Sequence, residues 1–376
     1  MNNRVWQHLS TLACYLYAVK DTFEHPHNRR KMLRLETLNL KYFLGTTGML
    51  LLMLTGCSND FVYFPNSIQE EVKKGLDSGY DGIIVYVNQA GKSSLYRAGW
   101  KDRAKKTPAA PNALFKIASI SKLYIAAAVA KLVADQSLSL DTTLSTFIPD
   151  VDGRIAHADK ITLRMLIQHR SGIPEFIYHP DFAKSDPQDS YLTTAALIYD
   201  RKAHFEPGTS YKYSNTNYLL IGEILNRTLG YSYHDYIKDK ILKPLGLKNT
   251  FGLQSDIDSN QLMSGYQVNQ EDDFKVLQHT RPSGSMIATA EDVGIFLRAL
   301  IDGTLLTPKE QAIYSSIYVY EHTGWLPGYT SIARYHEDLD AVVILFVSTS
   351  DSQMFWIGLE RFYSRIVRAL ERNSLQ

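Results

Sequence analysis

Apolar and polar positions change their period along this chain, and each change predicts a different kind of element. Ile83 to Val87 and Leu95 to Trp100 are short apolar or alternating runs on either side of a glycine-bearing turn, which predicts a β-hairpin. Two later runs, Tyr329 to Tyr335 and Ala341 to Val347, alternate or are apolar throughout and are joined through His336. They predict a second pair of strands, in which the sheet resumes.

Helical spacing of apolar residues accounts for most of the remaining chain. Ile68, Val72 and Leu76 predict a first surface helix, and Phe355 to Leu370 predicts a final amphipathic helix. The region from about 138 to 301 is mostly helical in pattern, which predicts a helical lobe inside the chain. Its predicted helices run over Ile161–His169, Tyr191–Asp200, Tyr218–Leu229, Tyr233–Ile241 and Glu291–Ile301.

The stretch around which the chain is organised is Leu114 to Tyr124, which contains the pattern Ser-x-x-Lys as Ser119 and Lys122. The sequence from Ile120 to Ala134 is apolar on nearly every side. A helix that is apolar all round belongs in the interior of a globular domain. Ser119 is therefore predicted to open a buried central helix.

This position gives Ser119 and Lys122 a candidate chemistry. The first N–H groups of a helix lack internal partners and carry the positive end of the helix dipole, so they can stabilise an anion. Lys122 is three residues on and lies on the same helical face, within reach of the serine oxygen. Burial there is expected to lower the pKa of Lys122, so that the neutral amine can accept the serine's proton. The alternative is an N-cap serine followed by an ordinary lysine.

Composition narrows the possible functions. The chain is 45% hydrophobic and 21% charged, which is typical of a folded globular protein, and its formal net charge is +1. No long basic run is present, so we predict no nucleic-acid partner. The two cysteines, Cys14 and Cys57, precede the predicted domain at 66–376, which can therefore form no disulfide. The histidines lack metal-ligand spacing, and we predict neither a metal nor a cofactor.

An export signal is predicted ahead of the domain. Residues 42–56 are an apolar run preceded by basic residues and ended by Cys57, and the run is shorter than the ~20 residues of a membrane-spanning helix. A transmembrane anchor is the alternative. The four residues from Leu54 to Cys57 resemble the lipobox of bacterial lipoproteins, in which the cysteine is lipidated. We therefore expect an upstream extension at 1–31 that is not native, a signal peptide at 32–56 and a tether at 57–65.

Two further motifs accompany Ser-x-x-Lys. Tyr213-Ser214-Asn215 lies in a predicted loop ahead of a helix, and His322-Thr323-Gly324 begins a predicted strand pair. In order and spacing, the three motifs resemble those of the penicillin-recognising serine hydrolases, in the branch of class C β-lactamases and D-Ala-D-Ala carboxypeptidases. The resemblance covers roughly residues 66–370. Three supporting stretches resemble the same family: Ile161–Pro174, Pro244–Thr250 and Ser283–Asp292.

The resemblance implies an α+β fold of the β-lactamase and transpeptidase type. We expect an antiparallel sheet of about five strands, flanked by helices, with a mainly helical lobe and the site between them. Ser119 would attack an amide or ester carbonyl and form an acyl-enzyme. Lys122 and Tyr213 would share the proton transfers, and Asn215 would orient the substrate and the lysine.

The same resemblance implies how the substrate is held. The oxyanion would be bound by the backbone N–H groups of Ser119 and Trp325. Thr323, within the His322-Thr323-Gly324 motif, would bind a substrate carboxylate, and His322 would supply positive potential when it is protonated.

Membership of this family does not identify the substrate, because the same set of site residues can hydrolyse several classes of compound. A His-Thr-Gly motif and a lipid anchor in the bacterial periplasm favour a D-Ala-D-Ala carboxypeptidase-like enzyme that acts on peptidoglycan peptides. Ser58 after the cysteine is compatible with an anchor in the outer membrane. A class C-like β-lactamase, and a hydrolase of small esters or D-amino-acid amides, are the enzymatic alternatives. A penicillin-binding sensor without turnover, or an inactive scaffold, is the alternative from another class. The sequence predicts no oligomeric state.

Overall fold

A computed structural model describes residues 67–351 and 353–374, and its centre is an antiparallel sheet. The expectations for the extension, the signal peptide, Cys57 and the tether fall outside these residues. The strands are β1 (Gly82–Gln89), β2 (Lys92–Asp102), β3 (Thr107–Pro108), β4 (Phe115–Lys116), β5 (Thr250–Phe251), β6 (Tyr266–Gln267), β7 (Ile287–Ala288), β8 (His322–Leu326), β9 (Tyr329–His336), β10 (Ala341–Val347) and β11 (Thr349–Ser350). The main sheet has the order β3-β2-β1-β10-β9-β8, so strands from both halves of the chain form it.

Alternation along the central strands gives the sheet two apolar faces. On β1, Ile84 and Tyr86 belong to the large core, whereas Ile83 and Val85 belong to a second core on the opposite face. This pattern arises because successive side chains of a strand point to opposite sides. The sheet is therefore covered by helices on both faces, as the family resemblance implies.

The helices complete these layers. They are α1 (Ile68–Lys74), α2 (Ser121–Ala134), α3 (Leu144–Phe147), α4 (Leu163–Ile167), α5 (Tyr191–Ala195), α6 (Asn215–Leu229), α7 (Tyr233–Ile237), α8 (Ala290–Asp302), α9 (Pro308–Ile317) and α10 (Gln353–Ser374). Apolar side chains from α1 and α10 form the second core with the sheet, and those from α2 and α8 belong to the large core. Within the described part of the chain, no helix combines the length and apolar character needed to cross a membrane.

The lobe differs in detail from the predicted helices. The helix predicted over Ile161–His169 is only five residues long, Leu163–Ile167. Thr162 caps its start by accepting a hydrogen bond from the N–H of Met165, and His169 has a left-handed φ of 56° that ends it. Short strands also occur in this region, where β5 and β7 join β4, which precedes the region, in a three-stranded sheet.

Two further differences concern helix ends. The helices predicted to begin at Tyr191 and Tyr233 are each a short α-helix that continues in another form. The first continues as a 3₁₀ turn at Ala196–Ile198, and the second continues as a π-helical turn at Lys238–Leu242. Helix α9 lies beyond the predicted lobe; its start carries a capping box between Thr307 and Glu310.

Helix α2 runs through the large core, as its apolar sequence predicts. Leu123, Ile125 and Val129 are at most 1% exposed, and burial of each such side chain stabilises the fold by about 1.5 to 3 kcal/mol. Ser119 does not occupy the first α-helical turn but lies in a 3₁₀ turn, Ala118–Ile120, that leads directly into α2. The helix therefore fixes this turn inside the molecule.

Candidate active site

Ser119 is held in a tight turn between β4 and α2. Ala118 has a left-handed φ of 52°, a conformation that L-residues rarely adopt and that must be held by surrounding contacts. Ser121 supplies part of that support, because its Oγ donates to the carbonyl oxygen of Ala118 at 2.6 Å and accepts from the N–H of Met286 at 3.2 Å. The Ser119 side chain is thus presented by a conformation that its neighbours fix.

Lys122 reaches Ser119 as the i, i+3 spacing predicts. Its Nζ donates to Ser119 Oγ at 3.0 Å, to Asn215 Oδ1 at 3.0 Å and to the carbonyl oxygen of Ser283 at 2.7 Å. The residue is fully buried, and its Nζ lies 5.0 Å from the ring centroid of Tyr213. Burial favours the neutral amine, whereas the three oxygen acceptors and the ring favour the ammonium. The two influences oppose each other at the atom that would take the serine's proton.

Tyr213 approaches the same serine oxygen from another element. Its hydroxyl donates to Ser119 Oγ at 3.0 Å. The Tyr213 ring stacks on the ring of His169, with centroids 4.4 Å apart, and His169 Nδ1 accepts from the N–H of Ser214 at 3.2 Å. Ser119 Oγ therefore accepts hydrogen bonds from two groups that can exchange a proton with it.

Asn215 is the first residue of α6 rather than part of the loop before it. Its backbone N–H donates to Glu175 Oε2 at 2.5 Å, while its side chain holds Lys122. Burial raises the pKa of Glu175 to about 7, against hydrogen bonds from Asn215 and Ile177 and the charge of Lys122, which lower it. The start of α6 thus connects a buried acid to the lysine.

Glu175 and His169 were not singled out by the sequence reasoning. Both lie at or beside the stretch Ile161–Pro174 that carries part of the family resemblance, and Glu175 follows it directly. The position of His169 inside that stretch, and of Glu175 directly after it, was the available signal. His169 also ends the helical pattern Ile161–His169, but that pattern assigns it no chemistry.

The third motif lies on β8, at the edge of the main sheet. Gly324 is paired with Ser331 of β9, and a Cβ at Gly324 would lie 2.3 Å from Ser331 Oγ and 2.4 Å from the carbonyl oxygen of Ile117. It would also lie 3.0 Å from Ala118 Cβ. Only glycine allows the edge strand to approach the Ser119 turn this closely.

The close approach at Gly324 bears on the predicted oxyanion pair. Trp325 directly follows Gly324, and Ser119 directly follows Ala118. Their backbone N–H groups therefore come from the two segments that meet at this contact. An edge strand leaves one row of backbone groups without a sheet partner, which suits an N–H that must bind a substrate oxygen.

His322 and Thr323 lie at the start of β8 and are half-buried. The Nδ1 atom of His322 is hydrogen-bonded to the carbonyl oxygen of Thr323. The His322 ring stacks with that of Tyr318, with centroids 6.1 Å apart, and lies 6.4 Å from that of Tyr213. All the predicted site residues in the described part of the chain thus belong to α2, α6, β8 or the turn and loop that precede α2 and α6.

A second buried lysine lies close by but is directed elsewhere. Burial lowers the pKa of Lys116 to about 7, and its Nζ donates to the carbonyl oxygens of Phe274, Lys275 and Leu277. Lys116 therefore fixes the segment at 274–277 and does not compete with Lys122 for Ser119. Among residues 67–351 and 353–374, no cluster of three or more His, Cys, Asp or Glu side chains could hold a metal ion.

We expect Gly324→Ala to destabilise the protein by about 1 to 3 kcal/mol and to lower hydrolysis, because the new methyl forces β8 away from the Ser119 turn. Urea unfolding and steady-state rates measure the two effects. Gly358→Ala is the matched control, since its nearest neighbour would be 3.7 Å away. An unchanged rate in Gly324→Ala would show that the close approach is not needed for activity.

Residues 68–316 match the family model described as Beta-lactamase. Protein flp of Staphylococcus aureus (strain MW2) is 30% identical over 234 residues, which are 60% of this chain and 46% of that protein. The chain thus matches about half the length of this curated relative.

Solved structures extend the likeness over the fold. D-amino acid amidase from Ochrobactrum anthropi SV3, complexed with L-phenylalanine amide, is similar with a TM-score of 0.73 and 24% identity over 82% of this chain and 99% of that one. A beta-lactamase/D-alanine carboxypeptidase from Pseudomonas syringae is similar with a TM-score of 0.66 and 17% identity, over 80% and 97% of the two chains. At these identities the likeness establishes the fold, and the expected fold class is confirmed.

Proposed function

This chain belongs to the beta-lactamase family and is a serine hydrolase, and on that premise we propose that Ser119 is its nucleophile and that it cleaves D-Ala-D-Ala peptides of the cell wall. The observation that carries the chemistry is the convergence of Lys122 and Tyr213 on Ser119 Oγ, each at 3.0 Å. A serine hydroxyl is a weak nucleophile unless a neighbouring base removes its proton, and here two candidate groups are in place.

The proposed reaction has two halves. In acylation, Ser119 Oγ attacks the substrate carbonyl carbon while its proton passes to neutral Lys122, directly or through Tyr213. The carbonyl oxygen becomes an oxyanion held by the N–H groups of Ser119 and Trp325. The C–N bond then breaks as the leaving amine takes the proton. In deacylation, a water molecule gives up a proton to the same groups, attacks the ester carbon and restores the Ser119 hydroxyl.

His322 and Thr323 support a substrate that ends in a carboxylate. Both stand at the start of β8, the strand that approaches the Ser119 turn, and the Thr323 hydroxyl can donate to an anion. A protonated histidine would add positive potential. A lipid anchor at Cys57 would place such an enzyme next to peptidoglycan, which is where peptides with this terminus occur.

A second candidate is hydrolysis of a neutral D-amino-acid amide. The observation that favours it is that the side chain at 322 carries no fixed charge, and its ring contacts those of Tyr318 and Tyr213. A histidine that is neutral above its pKa offers little to a carboxylate, whereas a neutral amide needs no cation. β-lactams and small esters are the other candidate substrates for the same acyl-enzyme chemistry.

Turnover on a matched panel tests the proposal. The panel is a D-Ala-D-Ala peptide, D-alanine amide, nitrocefin and p-nitrophenyl acetate, with Ser119→Ala as the blank. A kcat/KM for the peptide that exceeds the others supports the carboxypeptidase assignment, and preference for the amide supports the second candidate. Labelling by fluorescent penicillin without turnover of any compound would instead identify a penicillin-binding sensor.

The proposed role of His322 predicts that the preference for an anionic substrate depends on pH. Lysine, with a reference pKa of about 10.4, stays charged through the neutral range, whereas histidine, with a reference pKa of about 6.5, does not. The ratio of kcat/KM for the anionic peptide to that for a neutral ester is therefore expected to fall as pH rises through the His322 titration, and to stay level in His322→Lys. Lys122 and Tyr213 act on both substrates, so the ratio removes their contribution. A level wild-type ratio from about pH 5 to 9 would exclude the electrostatic role.

A further inference from the structure

A buried acidic residue lies directly behind the Tyr-Ser-Asn motif. Glu175 is 7% exposed, and both its carboxylate oxygens accept backbone hydrogen bonds. Oε2 accepts from the N–H of Asn215 at 2.5 Å, and Oε1 accepts from the N–H of Ile177 at 3.4 Å. A carboxylate is seldom this deeply buried unless it has a specific partner.

The partner of Glu175 is the beginning of helix α6. The residue at the N-cap position, Ser214, makes no side-chain capping bond, so the helix lacks the usual local cap. The first N–H groups of a helix have no internal acceptor and form the positive end of its dipole. Glu175, 40 residues earlier in the chain, supplies a carboxylate to the first of them.

A second pair of bonds fixes the same contact. Thr216 Oγ1 donates to the carbonyl oxygen of Pro174 at 2.7 Å and accepts from the N–H of Phe176 at 3.0 Å. Bonds on both sides of Glu175 thus join its segment to the first turn of α6. Movement of this segment would displace Asn215.

Asn215 connects this fixed segment to Lys122. Its N–H is held by Glu175 and its Oδ1 accepts from Lys122 Nζ at 3.0 Å. Glu175 and Lys122 also attract each other electrostatically, and burial raises the pKa of Glu175 to about 7. His169, Tyr211, Tyr213 and Tyr218 are titratable groups that also lie around the start of α6, and burial raises the pKa of Tyr218.

We propose that Glu175 is a positioning residue for acylation: its carboxylate, held at the first N–H of α6, fixes Asn215 against Lys122 and sets how readily Lys122 loses its proton. A nearby negative charge stabilises the ammonium and so opposes the neutral amine. Because burial raises the pKa of Glu175 to about 7, Glu175 carries this charge at neutral and alkaline pH, and removing the charge there should make neutral Lys122 available at lower pH. The inference rests on Ser119 being the nucleophile and is independent of the substrate class.

The test is the pH profile of kcat/KM for p-nitrophenyl acetate in Glu175→Gln. Glutamine keeps the size and one acceptor oxygen but not the charge. We expect the midpoint of the acid limb to move down by about half to one pH unit. The Tm difference between Glu175→Gln and wild type should also rise between about pH 5 and 8, because a buried acid with a raised pKa destabilises the fold as it ionises.

Asp292→Asn is the matched control. Asp292 is a buried carboxylate on α8 that accepts from the N–H of Asn249 at 2.8 Å and from the hydroxyl of Thr250 at 2.9 Å. Its variant should lose thermal stability without a shift in the acid midpoint. Should Glu175→Gln not fold, Glu175→Asp replaces it: the retained but shortened carboxylate should lower kcat several-fold and leave the midpoint unchanged.

The outcomes separate this inference from the assignment of the nucleophile. A Glu175→Gln midpoint that coincides with wild type, or that shifts only as much as in Asp292→Asn, overturns the role of Glu175 alone. The same holds for a Glu175→Asp variant with wild-type kcat. If mass spectrometry finds no acetyl group on Ser119 of the wild-type enzyme, both the nucleophile and the role of Glu175 are overturned.

Discussion

Ser119→Ala is expected to abolish both hydrolysis and covalent labelling by fluorescent penicillin. The substitution removes the oxygen that accepts hydrogen bonds from Lys122 and Tyr213, and no acyl-enzyme can form without it. We expect a loss of at least about four orders of magnitude in kcat/KM, the size expected when a nucleophile is removed. Stopped-flow hydrolysis and intact-mass analysis after incubation with substrate measure the two effects.

The control for Ser119→Ala should lose a serine without touching the site. Ser232 caps α7 by accepting from the N–H of His234, so Ser232→Ala is expected to cost about 0.5 to 2 kcal/mol of stability and to keep wild-type rates. Ser119→Ala should show the reverse pattern, a normal Tm with no turnover. A Ser119→Ala protein that still hydrolyses substrate at a rate above the buffer would exclude the acyl-enzyme mechanism.

The contact between Ser119 and Lys122 could be predicted from spacing alone. Residues three apart on a helix lie on one face, and an apolar helix must be buried, so both the 3.0 Å bond and the burial of the lysine follow from local sequence. The same local argument cannot predict the contact between Lys122 and Asn215, because the two residues are 93 positions apart in the chain. Only the family resemblance brought the distant motifs together. Their catalytic roles stay predictions until the variants are measured.

The role of Glu175 could not be predicted from the sequence. Its function depends on a tertiary contact with the start of α6, and a single glutamate after a Gly-Ile-Pro turn carries no periodic signal. The missing cap at Ser214 is equally invisible in the sequence, because serine is a favoured N-cap residue and predicts a local bond that is not made. The start of α6 is therefore capped by a tertiary contact with Glu175 and not by the local N-cap preference of Ser214.

The sequence predicted the strands more accurately than the ends of the helices. The alternation on β1, β9 and β10 follows from burial on two faces, and the register leaves little freedom once each face has a core. Helix ends depend on single residues instead. His169 ends α4 by adopting φ of 56°, which a periodic pattern does not reveal.

Lys122 gives the second large expected effect. Lys122→Met keeps much of the buried apolar stem but removes the amine, so Ser119 Oγ loses a base and Asn215 Oδ1 and the carbonyl oxygen of Ser283 lose a donor. We expect single-turnover acylation to slow by about 10³-fold or more, since a positioned base contributes about 10² to 10⁴. The unpaired oxygens should also cost about 1 to 3 kcal/mol of stability.

The matched control for Lys122→Met lies on the same helix. Lys131 Nζ donates to the carbonyl oxygen of Leu305 at 2.9 Å, and Lys131→Met removes the same kind of side-chain amine without reaching Ser119. It should acylate at the wild-type rate. Tyr213→Phe keeps the ring that stacks on His169 and removes only the hydroxyl, so it tests the second proton route. If Lys122→Met acylates as fast as Lys131→Met while Tyr213→Phe is inactive, the tyrosine, and not the lysine, is the base that activates Ser119.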